Sequence, residues 1–280
     1  MTPSQMPAAI VTVPSCSNAT AAHAGTVIVS GSYGGKYNAF NAAKWGIRGV
    51  IMNDAGVGAD DAGIVGLPYL DQIGLASATA AASSCHVGDG DHTLAHGIVS
   101  HVNATAAALG CIPGETVRAC AERMRAAPVP HAVPPPITEG TRFVLRDIPG
   151  EPKLICADSV GMVRPEDAGH IVVTASHAAL PNGRRDTIIP LGILAVFFSD
   201  AGVGMDDAGI ARLPVLDEDR IVAGTISAAS APIGDSRALY QHGVLSHLTS
   251  TAVQAGGTVG MPLKSFIDRL LAAARKGLLS

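Results

Sequence analysis

The chain has 280 residues, a net charge of −4, 48% hydrophobic residues and only 15% charged ones, the composition of a well-buried globular protein of one or two domains. No basic run and no interleaving of aromatic with basic residues occurs, which argues against a nucleic-acid partner, since phosphate neutralisation needs clustered cations. Aromatics make up 4%, so core bulk falls to Ala, Val, Ile and Leu, which suits close-packed α/β layers.

The five cysteines (Cys16, Cys85, Cys111, Cys120 and Cys156) are odd in number and lack CxxC spacing, as expected for free thiols in a reducing cytoplasm. The N-terminal stretch has neither a basic n-region nor a long apolar h-region, so no signal peptide is expected. The longest apolar stretch, 187–198, contains Pro190 and is too short to span a bilayer. No membrane partner is expected.

In chain order, residues 10–13 form a β-branched run ending at Pro14, a first strand. A small-residue loop (15–25) leads to a second strand at 26–30, which runs into Gly31-Ser32-Tyr33-Gly34-Gly35. Residues 36–45 read as a helix with Gly46 as its C-terminal stop. A third strand (50–53) delivers Asp54. A helix near 61–71, a fourth strand at 75–82 and a loop, Ser83-Ser84-Cys85-His86-Val87-Gly88-Asp89-Gly90, follow. The spacing of Leu94, Ile98, Val102 and Leu109 predicts a long helix over 91–109, and a further helix falls within 114–127.

Residues 127–140 hold Pro128, Pro130, Pro134, Pro135 and Pro136 and read as an extended linker. The series then restarts: strands at 154–157, 171–174, 195–199 and 221–229, then a long helix over 236–254, with 141–146 an extra strand without a counterpart. The segment Asp54-Ala55-Gly56-Val57-Gly58-Ala59-Asp60-Asp61-Ala62-Gly63-Ile64 recurs from Asp200 to Ile210 with one substitution. Gly88-Asp89 recurs as Gly234-Asp235, and His96-Gly97 as His242-Gly243. The expectation is an α/β protein formed by internal duplication: two Rossmann-like, mostly parallel halves (1–127 and 151–280) related by a pseudo-two-fold axis, with a Pro-rich segment (128–150) between them.

In open α/β sheets, ligands bind beyond the carboxyl ends of the strands. Asp54 and Asp200 end strands there and are candidates to anchor or activate a ligand, the bland reading being that they brace their glycine loops. Asp60, Asp61, Asp206 and Asp207 read as helix-start residues. The glycines do not fit the G-x-G-x-x-G spacing of a dinucleotide loop. Ser32, with Ser30 and Tyr33 beside it, and Ser176, with His177 beside it, sit at strand–helix turns as candidate nucleophiles or ligand-binding groups. Ser83, Cys85 and Ser230 lie on the corresponding later loops. His96 and His242 are candidate general acids or bases, expected to share a helix face with Ser100 and Asn103, and with Ser246 and Thr249.

His86, Asp89, His92 and His96 suggest a one-sided divalent-metal site, since the second half has Pro232, Asp235, Ala238 and His242 in register. Arg237 is a candidate clamp for a substrate carboxylate. Together these point to a cytosolic enzyme acting on a small polar, carboxylated metabolite between the halves, with hydrolysis preferred and no organic cofactor expected. An isomerase or racemase, or a non-catalytic binder or sensor, are the alternatives, and self-association is left open.

Overall fold

The Val-, Ile- and Ala-rich runs, separated by glycine turns, form two sheets in a computed structural model that describes residues 8–138, 140–185, 189 and 192–277. The first sheet contains β1 (Ile10–Val13), β2 (Val27–Tyr33), β3 (Gly49–Asn53), β4 (Ala76–Ala80) and β5 (Val99–Val102). Neighbours follow chain order; β1 to β4 are parallel and β5 returns antiparallel to β4. The second sheet repeats this order through β7 (Leu154–Ala157), β8 (Ile171–His177), β9 (Ala195–Ser199), β10 (Val222–Ile226) and the antiparallel β11 (Leu245–Leu248). Its sixth strand, β6 (Arg142–Arg146), pairs antiparallel with β7 and is the extra strand expected at 141–146.

Alternation along each strand sends successive side chains to opposite faces, and helices cover both. On one side of the first sheet Val27, Val29 and Ile51 pack against Val117, Cys120 and Met124 of α5 (Val117–Met124). On the other, Ile28, Val50 and Met52 meet Ala39 and Ala42 of α1 (Lys36–Ala43) and Leu70 of α2 (Gly66–Asp71). In the second sheet Val173 and Phe197 pack on Phe266, Ile267 and Leu270 of α9 (Leu263–Arg275). Val172, Val196 and Phe198 pack on Leu213 and Leu216 of α6 (Arg212–Glu218). Coverage on both faces explains why β3, β4, β9 and β10 are buried throughout.

The long helices expected over 91–109 and 236–254 are each replaced by helix, strand and helix. The first half has α3 (Gly90–His96), β5 and α4 (Ala104–Ala108); the second has α7 (Ser236–His242), β11 and α8 (Ser250–Gln254). Gly97 and Gly243 leave the helix in extended conformation, with φ/ψ of −60/140 and −64/141. A Cβ at Gly97 would come 2.7 Å from Val117, and one at Gly243 2.7 Å from Ile226. The chain turns there onto the neighbouring strand, gaining ladder hydrogen bonds that a continuing helix would forgo. Ser100 and Ser246 therefore bond to Thr79 and Thr225, while Asn103 and Thr249 cap α4 and α8.

The Pro-rich stretch is neither helix nor strand over its described residues, and Tyr69 Oη donates to the Pro135 carbonyl at 2.5 Å. Glu139 of the expected linker, and Thr187, Ile188, Pro190 and Leu191 of the apolar stretch at 187–198, lie outside the described residues. No helix among the described residues is long and apolar enough to cross a membrane.

Candidate functional site

The carboxyl ends of β2 and β8 carry matching polar pairs, Ser32-Tyr33 and Ser176-His177. Both strands break register with their neighbours just before these residues, between Val29 and Tyr33 and between Val173 and His177. The turns at 88–89 and 234–235 fold over these ends: Gly88 N–H donates to the Gly31 carbonyl at 2.7 Å and Gly234 N–H to the Ala175 carbonyl at 3.0 Å. A Cβ on Gly31 would lie 2.2 Å from the Asp89 nitrogen, so the close approach of that turn requires glycine.

A cavity of about 710 Å³ opens between the halves. The first half contributes Ser32, Tyr33, Lys36 and Asn38; the second contributes Asp158, Ser176, His177 and Arg212. Ile137 and Thr138, just beyond the prolines, complete one wall. Tyr33 reaches across: a Cβ on Gly234 would lie 2.6 Å from its hydroxyl.

Arg212 opens α6 and is 2% exposed. Its Nη2 donates to the Ala179 carbonyl at 2.8 Å and its guanidinium lies 5.5 Å from the Phe198 ring. Its Nε and Nη1 are buried without a hydrogen-bond partner among the described residues. Burial pulls its pKa down to about 10. Burial, and then the Arg212 charge, bring His177 down to about 4, so its imidazole is neutral near pH 7 even though the residue is partly open to the cavity. Burial, and then the Asp158 charge, push the Tyr33 phenol up to about 12. Burial alone would raise the Asp158 carboxyl, but the donors of Ser236 and Thr141 outweigh it and hold it below the usual range.

Of the residues singled out by sequence, Ser32, Tyr33, Asp60, Ser176, His177 and Asp235 line this cavity. Ser32 Oγ accepts the Cys16 N–H at 2.9 Å and Ser176 Oγ the Val160 N–H at 2.8 Å, while Ser30 Oγ accepts the Ser32 N–H. No hydrogen bond joins Ser32 or Ser176 to a histidine or a carboxylate among the described residues. Asp54 and Asp200 sit apart from the cavity lining. Asp54 Oδ1 accepts from Gly56 and Ala82 N–H, and Asp200 Oδ1 from Gly202 and Ala228 N–H, all at 2.9 Å. This is the loop-bracing geometry.

His96 and His242 are exposed last residues of α3 and α7. Ser83 is exposed, and Ser230 Oγ bonds Ser227 and Val244. Cys85 is buried beside Asn53, and burial raises its thiol pKa. Arg237 stacks on Phe143, 4.4 Å from the ring, outside the cavity lining. Asp60, Asp61, Asp206 and Asp207 make no side-chain cap; they hold left-handed backbone at φ of +52 to +58°. The caps of α3 and α7 come from Asp89 and Asp235, which accept from His92 and Ala238 N–H at 2.8 Å.

The residue that sequence reasoning missed is Arg212. Its signal lay in the repeat itself, where Gly66 occupies the matching position in the first half. No known protein family, curated protein or solved structure matches the chain.

Near the cleft, His86 Nε2 meets Asp206 Oδ2 at 2.9 Å. The His86 and His92 rings stack at 3.6 Å, and the His92 and His96 rings are 4.5 Å apart. Burial, and then the neighbouring His86 and His96, lower the pKa of His92.

Proposed function

We propose that the protein binds a small anionic metabolite, most simply a carboxylate, in the cleft between its two halves. The observation that carries this reading is the buried Arg212, a residue of the cavity lining whose Nε and Nη1 have no hydrogen-bond partner among the described residues. Leaving charged donors unmet in a buried site costs several kcal/mol (roughly 2–5). A carboxylate or phosphate oxygen supplied by a ligand would satisfy them with charge-assisted bonds. Lys36, from the opposite half, and Arg184 are further cations of the lining, which also holds the carboxylates Asp60, Asp158 and Asp235.

A catalytic reading is favoured by the neutral His177 imidazole and the protonated Tyr33 phenol lining the same cavity. Burial is the larger cause of the depressed His177 value and the Arg212 charge the smaller; an anion on Arg212 would offset the smaller one and strengthen His177 as a base to that extent. Proton transfer, as in an isomerase, then fits these groups better than serine-based hydrolysis, because neither serine hydroxyl is hydrogen-bonded to a histidine or carboxylate among the described residues. The described cysteines are all free and buried, in keeping with a cytoplasmic setting.

The test is calorimetric titration of small mono- and dicarboxylates and phosphate esters into the wild type and Arg212→Met. Saturable 1:1 binding by one such class, weakened about a hundredfold in the variant, supports the proposal. Equal affinity in a folded Arg212→Met would remove Arg212 as the anchor.

A further inference from the structure

The geometry points to a divalent transition-metal site built from His86 and His92 of the first half and Asp206 of the second, tying the halves together. It is independent of the anion site at Arg212. One ligand atom from each of the three residues lies within 4.8 Å of the others. Two atoms bound about 2 Å from one ion lie about 3.4 Å apart, so the ligand atoms must draw together and the His86 and His92 rings, stacked at 3.6 Å, must turn out of parallel to face one ion. The His86 backbone N–H donates to His92 Nδ1 at 3.3 Å, so the neutral ring carries its proton on Nε2, and this long bond gives way when His92 binds a metal. His96 or a water would take a fourth position, with the His96 ring 4.5 Å from that of His92.

Two features separate this set from a chance ion pair. First, the fold does not require these histidines: Pro232 and Ala238 occupy the matching positions in the second half, and the chain runs the same way there. Second, Asp206 is delivered from the other half by a left-handed turn at φ +52°. That turn is held against the first half by close backbone approach: a Cβ on Gly204 would lie 3.2 Å from the Ala82 carbonyl oxygen. The sequence suggested Asp89 as the carboxylate, but Asp89 is committed to capping α3. Imidazole with a carboxylate suits Zn²⁺, Co²⁺ or Ni²⁺ over Ca²⁺ or Mg²⁺.

Zn²⁺ and Co²⁺ alone are titrated into the untagged full-length chain after chelator treatment. The expected result is one saturable equivalent, weakened about tenfold or more in His86→Ala, His92→Ala and Asp206→Asn and unchanged in Cys111→Ser/Cys120→Ser, the other such cluster among the described residues. Zn²⁺ should also raise the melting temperature of the wild type more than that of Asp206→Asn at the same concentration. In the wild type, Co²⁺ should give ligand-field bands without thiolate charge transfer, a readout that needs no variant to fold. Absence of saturable binding, thiolate charge transfer, or unchanged affinity in His86→Ala/His92→Ala overturns the assignment.

Discussion

Gly56 and Gly202 face each other where the two halves meet: a Cβ on Gly56 would lie 2.9 Å from the Gly202 Cα, and one on Gly202 2.8 Å from the Gly56 Cα. Both glycines have φ +72°. Positive φ alone is tolerated here, since Val57 and Val203 adopt +63° and +64°. The backbone contact is what requires glycine. Gly56→Ala and Gly202→Ala should each destabilise the fold by about 2–4 kcal/mol, combining left-handed strain with displacement of backbone. Urea unfolding measures it; a loss below about 1 kcal/mol would show that the halves can separate slightly at no cost.

Asp54 and Asp200 each satisfy two backbone N–H groups through a single oxygen. Replacement by Asn keeps that acceptor, whereas Ala strands two donors. Asp54→Ala should cost about 2–4 kcal/mol and Asp54→Asn markedly less, with the same order at Asp200. A folded Asp54→Asn that loses all turnover of an identified substrate would instead restore a chemical role to this residue.

Arg212 predicts a conflict between stability and binding. Without ligand, Arg212→Met removes a buried charge with unmet donors and puts an apolar side chain beside Phe198. The variant should be as stable as the wild type or more so, by up to about 2 kcal/mol, while binding the ligand about a hundredfold more weakly. Denaturant midpoints taken without and with ligand test both halves of this statement. A loss above about 3 kcal/mol without ligand would make Arg212 a structural residue.

His177 makes a pH-dependent contribution whose sign follows from its depressed folded value of about 4. The unfolded imidazole titrates near 6.5, so between these values the unfolded chain binds more protons and stability rises with pH. The contribution is complete above about pH 6.5 and is lost as pH falls toward 4. Asp158, held below the usual carboxylate range, loses its own contribution only at lower pH, as the fold's carboxyl protonates. Unfolding followed from pH 7 downward should show a shallower slope in His177→Gln across the His177 window. An unchanged slope would mean that His177 is solvated like a free imidazole.

How much of this was legible follows from which rule each residue obeys. Strand-end reasoning found Ser32, Tyr33, Ser176 and His177, because buried β-branched runs mark strands well and their exits are where loops gather. The His96–Ser100–Asn103 stripe misled, because a helical spacing of polar residues survives when Gly97 lets the chain turn into a strand. Asp54 looked chemical because it ends a strand, yet its geometry is that of a turn brace, with the acceptor two residues before one donor. Arg212 was overlooked because it stands at the start of a helix, where a single cation reads as surface charge. Only packing shows that it is buried. Asp206 could not be paired with His86 from one strand of text, since the partners are 120 positions apart.

The wall that Ile137 and Thr138 give the cavity follows directly on Pro134, Pro135 and Pro136, and the Pro135 carbonyl is fixed by Tyr69. Proline rings restrict the chain before it folds, so little conformational entropy is left there for a ligand to remove. Binding against this side of the cleft would approach lock-and-key behaviour, with affinity carried by contacts and not spent on ordering a loop.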